Sequence, residues 1–277
     1  MKVEEIMPRP LLSVSIVLYR TPLEVLRATL DSLECATRTL SGVLVVVVDN
    51  DSGEAYRRDL REILDSLPRR PDYRLQLVEA AENRGYGAGH NLALASGVGE
   101  FHLVLNPDVE MSADSLAAGI AYLREAPDVS LLSPRALGGS GQQEFLCKRR
   151  PSVLVLAARA FFPRLGARLI PRRMADYEMR ELATANTPRD VELASGCFML
   201  LRGEQLLAVE GFDERYFLYF EDFDLSLRLS RLGHVRYHPG VRIVHHGGYA
   251  ARKGLAHLRM FLASALRFFN QHGWRWI

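Results

Sequence analysis

Polar side chains that could bind a ligand or move a proton lie in five short clusters of the 277-residue chain. The clusters are Asp49 to Ser52, Asn83 to Asn91, Asn106 to Asp108, Glu221 to Asp224, and His245 with His246. Carboxylate and amide oxygens on strand-end turns suit a hard divalent cation, and imidazole suits transition ions. Each cluster also has a purely structural interpretation, as a turn, as the acids of a helix N-terminus or as loop histidines.

Four short aliphatic runs alternate with helical patterns in the first part of the chain. The predicted strands are Val14 to Tyr19, Val43 to Val48, Leu75 to Glu79 and Phe101 to Leu105. A loop from Glu82 to Asn91 follows the third strand, with a short helix from Leu92 to Ser96 behind it. Strands without polar alternation are typical of a parallel sheet covered on both faces. The clusters at their carboxyl ends should then face one cleft.

The later part of the chain differs from the first part in composition. From Lys148 to Arg180 there are nine basic residues against two acidic ones, which suggests an insertion. The remaining predicted elements are a strand from Ala194 to Leu201, a helix from Asp222 to Leu232 ended by Gly233, a strand from Val241 to Val244, and a C-terminal helix with Leu255, Leu258, Leu262, Leu266 and Phe269 on one face.

The overall composition excludes several classes of protein. The net charge of +2 argues against a dedicated nucleic-acid binder, and 48% apolar residues argue against a disordered chain. No apolar stretch reaches the roughly 20 residues that span a bilayer, and no secretory signal is visible. Three cysteines without metal or disulfide spacing favour a reducing, cytoplasmic setting.

Seven motifs in order give the sequence a family resemblance. They are VSIVLYR (14–20), VVVVDNDS (45–52), ENRGYGAGHN (82–91), LVLNPDV (103–109), SGCFMLLR (195–202), GFDERYFLYFEDFDLSLRL (211–229) and VRIVHHGG (241–248). Together they resemble the inverting family 2 glycosyltransferases of the GT-A fold, in particular the rhamnosyltransferase-like branch.

The resemblance implies an α/β fold with a mostly parallel, Rossmann-like central sheet. The implied parts are a nucleotide-sugar-binding half (1–136), a basic insertion (137–190), an acceptor-binding and catalytic half (191–248) and an amphipathic C-terminal helix (249–277). That helix and the basic insertion are candidates for contact with an anionic lipid surface at the inner face of the cytoplasmic membrane. Packing of the helix on its own domain and a homodimer contact are the alternatives.

The resemblance also assigns chemistry to individual residues. It makes Asp222 the base that takes the proton of the acceptor hydroxyl, with Glu221 orienting the acceptor or its loop. Asp108 and His245 become ligands of Mg²⁺ or Mn²⁺, while Asn106 stands where the family has an acid. The predicted nucleotide-sugar contacts are Tyr19, Thr21, Asp49, Asn50, Asn83, Arg84, Gly85, Asn91, Asn106 and Asp108.

The function implied is metal-dependent transfer of a sugar, with L-rhamnose from dTDP-L-rhamnose favoured, to a saccharide or lipid-linked saccharide in cell-surface polysaccharide assembly. The alternatives are a non-catalytic nucleotide-sugar-binding scaffold and a sugar-phosphate nucleotidyltransferase. The glycine spacing of Gly85, Gly87 and Gly89 does not match the dinucleotide fingerprint, which argues against a nicotinamide dehydrogenase.

Overall fold

Four parallel strands form one half of the central sheet in the computed structural model, which describes residues 9–161, 168–247 and 254–277. They are β1 (Leu12–Leu18), β2 (Val43–Asp49), β3 (Tyr73–Glu79) and β4 (Phe101–Leu105), paired in the order β3-β2-β1-β4. Every residue of β1, β2 and β4 is buried. The strands agree with the sequence prediction because runs buried on both faces lack polar alternation.

The helices of this half are α1 (Leu23–Ala36), α2 (Glu54–Asp65) and α3 (Tyr86–Leu94). The helix predicted from Leu92 to Ser96 is displaced, since α3 begins at Tyr86, within the glycine-rich motif, and ends at Leu94. A β-carbon on Gly89 would lie 2.7 Å from a methyl group of Val17 in β1, so α3 packs on the sheet through small residues. Such residues give no apolar stripe, which is why the pattern hid the helix.

The other half of the sheet mixes directions. Its elements are β5 (Val109–Met111), α4 (Ser115–Glu125), β6 (Val129–Gly138), β7 (Gln143–Glu144), β8 (Cys147–Lys148), α5 (Val153–Phe161), α6 (Pro171–Tyr177), a 3₁₀ turn (Arg180–Thr184), β9 (Arg189–Asp190), β10 (Leu193–Ala194), β11 (Phe198–Arg202), α7 (Gly203–Ala208), α8 (Glu221–Leu229), β12 (His234–His245) and α9 (Leu255–His272). The sheet continues from β4 in the order β11-β6-β12-β5. β11 runs antiparallel to β4 and β6, and β6 runs parallel to β12.

Three predicted elements of this half need correction. The strand predicted from Ala194 to Leu201 is two strands, β10 and β11, separated by a turn at 195–197. The helix predicted to reach Leu232 ends at Leu229, and the strand predicted from Val241 begins seven residues earlier. β12 changes register between His238 and Arg242, where Pro239 and Gly240 interrupt the alternation that would have revealed it.

The basic segment packs beside the start of α8 and against α9. Leu156 of α5 and Tyr177 of α6 share an apolar cluster with Phe220 and with Phe268 and Phe269 of α9. β6 reaches Gly138 and β9 lies on β12, so the sheet contains residues at both ends of the predicted insertion. Residues 162–167 of that segment, and 248–253 before α9, lie outside the described residues.

The C-terminal helix packs on its own domain by a different face from the leucine stripe. Its buried residues are Ser264, Ala265, Phe268 and Phe269. Leu255, Leu262 and Leu266 are instead 77%, 47% and 53% exposed. Most of the leucine stripe therefore lies on the surface. Of its residues, Phe269 at the C-terminal end is buried in the core. Over the described residues, none of the helices has the length and hydropathy of a bilayer span.

Candidate active site

The turn after β4 places Asn106 and Asp108 at the carboxyl end of the parallel strands. The backbone N–H of Asn106 donates to the carbonyl of Cys197 at 2.9 Å, which ties this turn to the turn before β11. The N–H of His246 donates to the carbonyl of Asp108 at 2.9 Å, which ties it to the end of β12. Two segments distant in sequence therefore fix the turn.

Asp108 and His245 meet where β5 pairs with β12. Nε2 of His245 lies 3.5 Å from Oδ1 of Asp108, and Nδ1 lies 2.8 Å from Glu144 on β7. Burial alone would lower the pKa of His245, but the two carboxylates outweigh it and raise that pKa to about 9. The structure thus brings together the two residues that the sequence predicts as metal ligands.

The chemistry of these groups fits a divalent cation bound together with a diphosphate. Oδ1 of Asp108 is buried and accepts no hydrogen bond from the described residues. A cation would displace the proton from Nε2 of His245, since only a deprotonated ring nitrogen binds a metal, and Glu144 on Nδ1 would fix the ring, as acid partners of ligating histidines do. No three His, Cys, Asp or Glu side chains of the described residues form a metal site alone. A cation here would take further ligands from phosphate and water, as Mg²⁺ does.

Tyr86, at the start of α3, connects the turn after β4 to the acidic pair of α8. Its hydroxyl lies 2.6 Å from the carbonyl oxygen of Gly196 and 3.0 Å from Oδ1 of Asn106. The N–H of Gly196 donates to Oδ2 of Asp222 at 2.9 Å. Burial raises the pKa of Tyr86 well above its usual value, so the hydroxyl remains a neutral donor. The predicted cation side and the predicted base are thus one hydrogen-bonded unit.

The acidic pair follows a strained turn. Tyr219 and Phe220 have φ of 73° and 67°, a region that costs non-glycine residues roughly 1–2 kcal/mol each. Phe220 caps α8, so Glu221 and Asp222 occupy the helix's first turn. Backbone strain that the surroundings hold in place is typical of functional sites.

The two acids of the pair have different environments. Asp222 is partly exposed and accepts hydrogen bonds from the N–H groups of Gly196 and Phe223. Glu221 is 5% exposed, and its Oε2 has no partner among the described residues. Burial raises the pKa of both acids, and the neighbouring Asp222 raises that of Glu221 further. Asp222 is the one that solvent and a substrate can reach.

A second network joins the ends of β2 and β3. Nδ2 of Asn50 donates to Oδ1 of Asn83 and to the carbonyl of Gly85, both at 3.0 Å. Oδ1 of Asn50 is buried without a partner among the described residues. Gly85 has φ of 99°, and a β-carbon there would lie 2.1 Å from the carbonyl oxygen of Phe217. This close approach couples the asparagine network to the loop that carries the acidic pair.

Asp49 and Thr21 have protein partners in the structure. Oδ2 of Asp49, which is fully buried, accepts a 2.7 Å hydrogen bond from Nε of Arg57. The carbonyl of Thr21 accepts a hydrogen bond from Tyr56 at 2.9 Å. Tyr19 is 49% exposed and lies beside Arg20. Nucleotide contact by these residues stays a prediction.

Arg84 and Asn91 both face Glu214. Arg84 pairs with it at 2.9 Å, and Nδ2 of Asn91 lies 3.1 Å from it. The amide of Asn91 also exchanges hydrogen bonds with the backbone of Phe212. In the structure these side chains hold the loop before α8, and direct contact with the nucleotide stays a prediction.

Several residues of the site were absent from the sequence prediction. Tyr86 lies inside the glycine-rich motif, and Gly196 inside SGCFMLLR, so the motifs contained them without showing a role. Glu144 sits in no motif, and only the fold brings it to His245. Arg159 and His257 line a cavity of about 580 Å³ beside Glu221 and Asp222, and neither belongs to a motif.

A mostly parallel sheet with an acidic turn after β4 and an acidic pair on α8 defines a GT-A glycosyltransferase fold. Solved structures agree. A GalNAc-T7 structure with UDP, GalNAc and Mn²⁺ has a TM-score of 0.62 at 14% identity over 87% of this chain and 44% of that one. A Pyrobaculum calidifontis mannosyltransferase with GDP-Man and Mn²⁺ has a TM-score of 0.60 at 22% identity over 94% of this chain and 65% of that one.

The sequence comparison gives the family. The profile of Glycosyl transferase family 2 matches residues 13–192, so the chain belongs to that family and is a glycosyltransferase. It is 28% identical over 260 residues (88% of this chain, 80% of the relative) to the N-acetylglucosaminyl-diphospho-decaprenol L-rhamnosyltransferase of Mycobacterium tuberculosis. It is 29% identical over 195 residues (66% and 70%) to rhamnosyltransferase WbbL of Escherichia coli. The predicted family and its rhamnosyltransferase-like branch are confirmed.

Proposed function

We propose that this glycosyltransferase transfers L-rhamnose from dTDP-L-rhamnose to a hydroxyl of a saccharide or lipid-linked saccharide during cell-surface polysaccharide assembly. The observation that carries the proposal is the continuous contact from Asn106 through Tyr86 and Gly196 to Asp222. It puts a carboxylate at a fixed place relative to the turn that would hold the donor diphosphate. The similarity to rhamnosyltransferases supports the choice of sugar.

Transfer with inversion is a single displacement at the anomeric carbon. The acceptor oxygen forms a bond to that carbon while the bond to the diphosphate oxygen breaks, and the diphosphate leaves with the electron pair. Asp222 takes the acceptor's proton as the new bond forms. The backbone N–H groups of Gly196 and Phe223 hold both carboxylate oxygens and so aim the base.

A divalent cation, Mg²⁺ or Mn²⁺, fits the proposed reaction. When bound it would offset the charge that builds on the leaving nucleoside diphosphate. Asp108 and His245 would hold it, and Glu144 would orient His245 through Nδ1. Two solved structures of the same fold contain Mn²⁺, which supports the proposal at the level of the fold.

We also propose that the enzyme works against an anionic lipid surface at the cytoplasmic side of a membrane. Leu255, Leu262 and Leu266 form an exposed apolar stripe on α9. Arg259 and Arg267 of the same helix are exposed as well. Apolar stripes flanked by cations are typical of helices that lie on anionic membranes. A lipid-linked acceptor would be presented at such a surface.

The substitution Asp222→Asn tests the base. It should lower kcat by about 10²- to 10⁴-fold, the usual contribution of a positioned base, while dTDP-rhamnose still binds. Both oxygens of Asp222 accept from N–H groups, so the amide loses one hydrogen bond and the melting temperature must be recorded beside the rate. Asp59→Asn is the matched control, because Asp59 is an exposed residue of α2. Full transfer by Asp222→Asn would refute the assignment.

A further inference from the structure

The C-terminal helix α9 contacts the segment that carries the acidic pair, and it does so through one of its faces. Its residues His257, Ser264 and Gln271 are seven positions apart, a spacing that returns to the same side of a helix after about two turns. All three contact residues 216–224, which include the strained turn and the start of α8. The motifs that carry the family resemblance end at residue 248, so α9 lies outside them.

The first half of α9 holds the strained turn directly. The hydroxyl of Ser264, which is 6% exposed, donates to the carbonyl of Leu218 at 2.8 Å. Nδ1 of His257 lies 3.0 Å from the hydroxyl of Tyr219, and the ring of Phe220 packs on aromatic rings of α9. Positive φ at two consecutive non-glycine residues persists only where the surroundings hold it in place. These contacts of α9 supply part of that restraint.

The last turn of α9 holds α8 through the carboxylate of Asp224. This side chain is fully buried, and its Oδ1 lies 2.8 Å from Nε2 of His272 and 2.9 Å from Nε2 of Gln271. Its Oδ2 accepts a hydrogen bond from Nε of Arg228 at 2.7 Å. A carboxylate only accepts hydrogen bonds, so Nε2 of His272 carries a hydrogen here. Because a buried carboxylate that loses such a partner is destabilised, the contact keeps α8 and the end of α9 together.

Asp224 and Asp222 lie on opposite sides of α8. Two positions along an α-helix correspond to a rotation of about 200° around its axis. Asp224 is 0% exposed, whereas Asp222 lines the cavity beside the acidic pair. Asp224 is therefore out of reach of a substrate, but any movement of α8 that displaces it also displaces Asp222.

We propose that α9 positions the base of this enzyme, because His272 and Ser264 keep Asp222 in the orientation in which it accepts a proton. Both are positioning residues, since they act through Asp224 and Leu218 and touch no reacting atom. This role rests on the proposed function, which makes Asp222 the base. It adds a helix outside the family motifs to the parts that the reaction needs.

Paired substitutions at His272 separate positioning from packing. His272→Leu removes the N–H group that bonds Asp224, whereas the amide of His272→Gln can reach the same oxygen. In transfer assays we expect His272→Leu to lower kcat about 10-fold while KM for the sugar donor stays within about 2-fold of wild type. His272→Gln should recover most of kcat. Equal losses in the two variants, or no loss in His272→Leu, would overturn the proposed role.

A milder pair of variants keeps the test valid if His272→Leu does not fold. Ser264→Ala should lower kcat about 2- to 10-fold, the worth of one hydrogen bond. Ser130→Ala is the matched control, because Ser130 is also buried and its hydroxyl donates to the carbonyl of Leu229 at the other end of α8. It should leave kcat unchanged, and an equal loss in both serine variants would also overturn the proposed role.

Hydrogen exchange measures the restraint without any turnover. Amide exchange in residues 216–224 should be about 3- to 10-fold faster in His272→Leu and Ser264→Ala than in wild type, because the segment opens more often. Exchange at the wild-type rate in both variants would overturn the restraint by α9. If wild type does not transfer rhamnose but exchange rises as expected, the proposed function fails and the restraint stands. If wild type transfers rhamnose and neither exchange nor kcat changes in the variants, the function stands and the role of α9 falls.

Discussion

The hydroxyl of Tyr86 contacts both sides of the proposed reaction centre. It contacts Asn106 of the turn after β4 and the carbonyl of Gly196, whose own N–H holds Asp222. A residue in this place acts through others, so its effect should appear in the rate of the chemical step.

Tyr86→Phe keeps the ring that packs on His90 and removes only the hydroxyl. We expect kcat to fall about 2- to 10-fold, the worth of one hydrogen bond, with little change in donor KM. The pH–rate profile of kcat should also shift, because Asp222 is held less firmly. Tyr122→Phe on α4, which removes a hydroxyl bonded to Arg236 of β12, is the matched control and should leave kcat and its pH profile unchanged.

The buried carboxyl of Glu221 makes stability depend on pH. Burial and Asp222 raise its pKa in the folded state, so folding favours the protonated form. The contribution of this group to stability is present in full below the unfolded pKa and is lost as pH rises through the folded pKa. In melting curves from pH 4 to 9, Glu221→Gln should flatten the decline in stability that sets in as pH rises above the unfolded pKa. Glu204→Gln, exposed on α7, should keep the wild-type slope, and an unchanged slope in Glu221→Gln would contradict the assignment.

The residues proposed to bind and react could be picked out from the sequence, whereas the residues that hold them in place could not. Asp108, Asp222 and His245 stand in motifs whose chemistry can be read from residue type. Glu144 reaches His245 only because β7 pairs with β6 and places it there. No local pattern contains that information, since the two residues are 101 positions apart.

At the scale of elements, Gly85 couples α3 to the loop before α8. It caps α3 with φ of 99°, and Phe217 leaves no room for a β-carbon. Gly53 caps α2 with φ of 103°, and nothing lies within 4 Å of its would-be β-carbon. The two glycines have similar φ angles and differ in the room that their surroundings leave for a β-carbon.

Gly53→Ala should therefore cost only the backbone term, about 1–3 kcal/mol in the free energy of unfolding, because φ of 103° with ψ of 159° is a region that only glycine adopts readily. Gly85→Ala should cost that amount plus about 1–3 kcal/mol for overpacking, and it should lower kcat because the loop with Asp222 is displaced. Urea unfolding and steady-state rates measure both effects. Equal losses in the two variants would show that the contact with Phe217 does not matter.

The elements predicted correctly are those whose burial determines their pattern. β1, β2 and β4 are buried on every residue and give continuous aliphatic runs. α3 packs through glycine and alanine, and β12 contains Pro239 and Gly240, so neither shows the expected period. On α9 the leucine stripe is real but faces outward, because aromatic residues form the packing face.

At the scale of the molecule, the exposed stripe of α9 provides the test of lipid attachment. The double variant Leu262→Ser, Leu266→Ser should unfold within about 0.5 kcal/mol per site of wild type, since both side chains are on the surface. Cosedimentation with vesicles containing phosphatidylglycerol should fall markedly. Leu232→Ser, with the same 47% exposure as Leu262 but after α8, is the control. Equal vesicle binding by wild type, the double variant and Leu232→Ser would show that the stripe of α9 does not contact the membrane.

Because β5 pairs with β12, the proposed site can form only late in synthesis of the chain. Asp108 precedes β5, whereas His245 ends β12, more than 130 residues later. The neighbouring strands β1 to β4 can pair as the chain emerges, but β5 must wait for its partner. A ribosome-bound chain that has released only the first half therefore holds Asp108 without His245 and without Asp222. The proposed cation ligands therefore come together only once β12, the last described strand, has been synthesised.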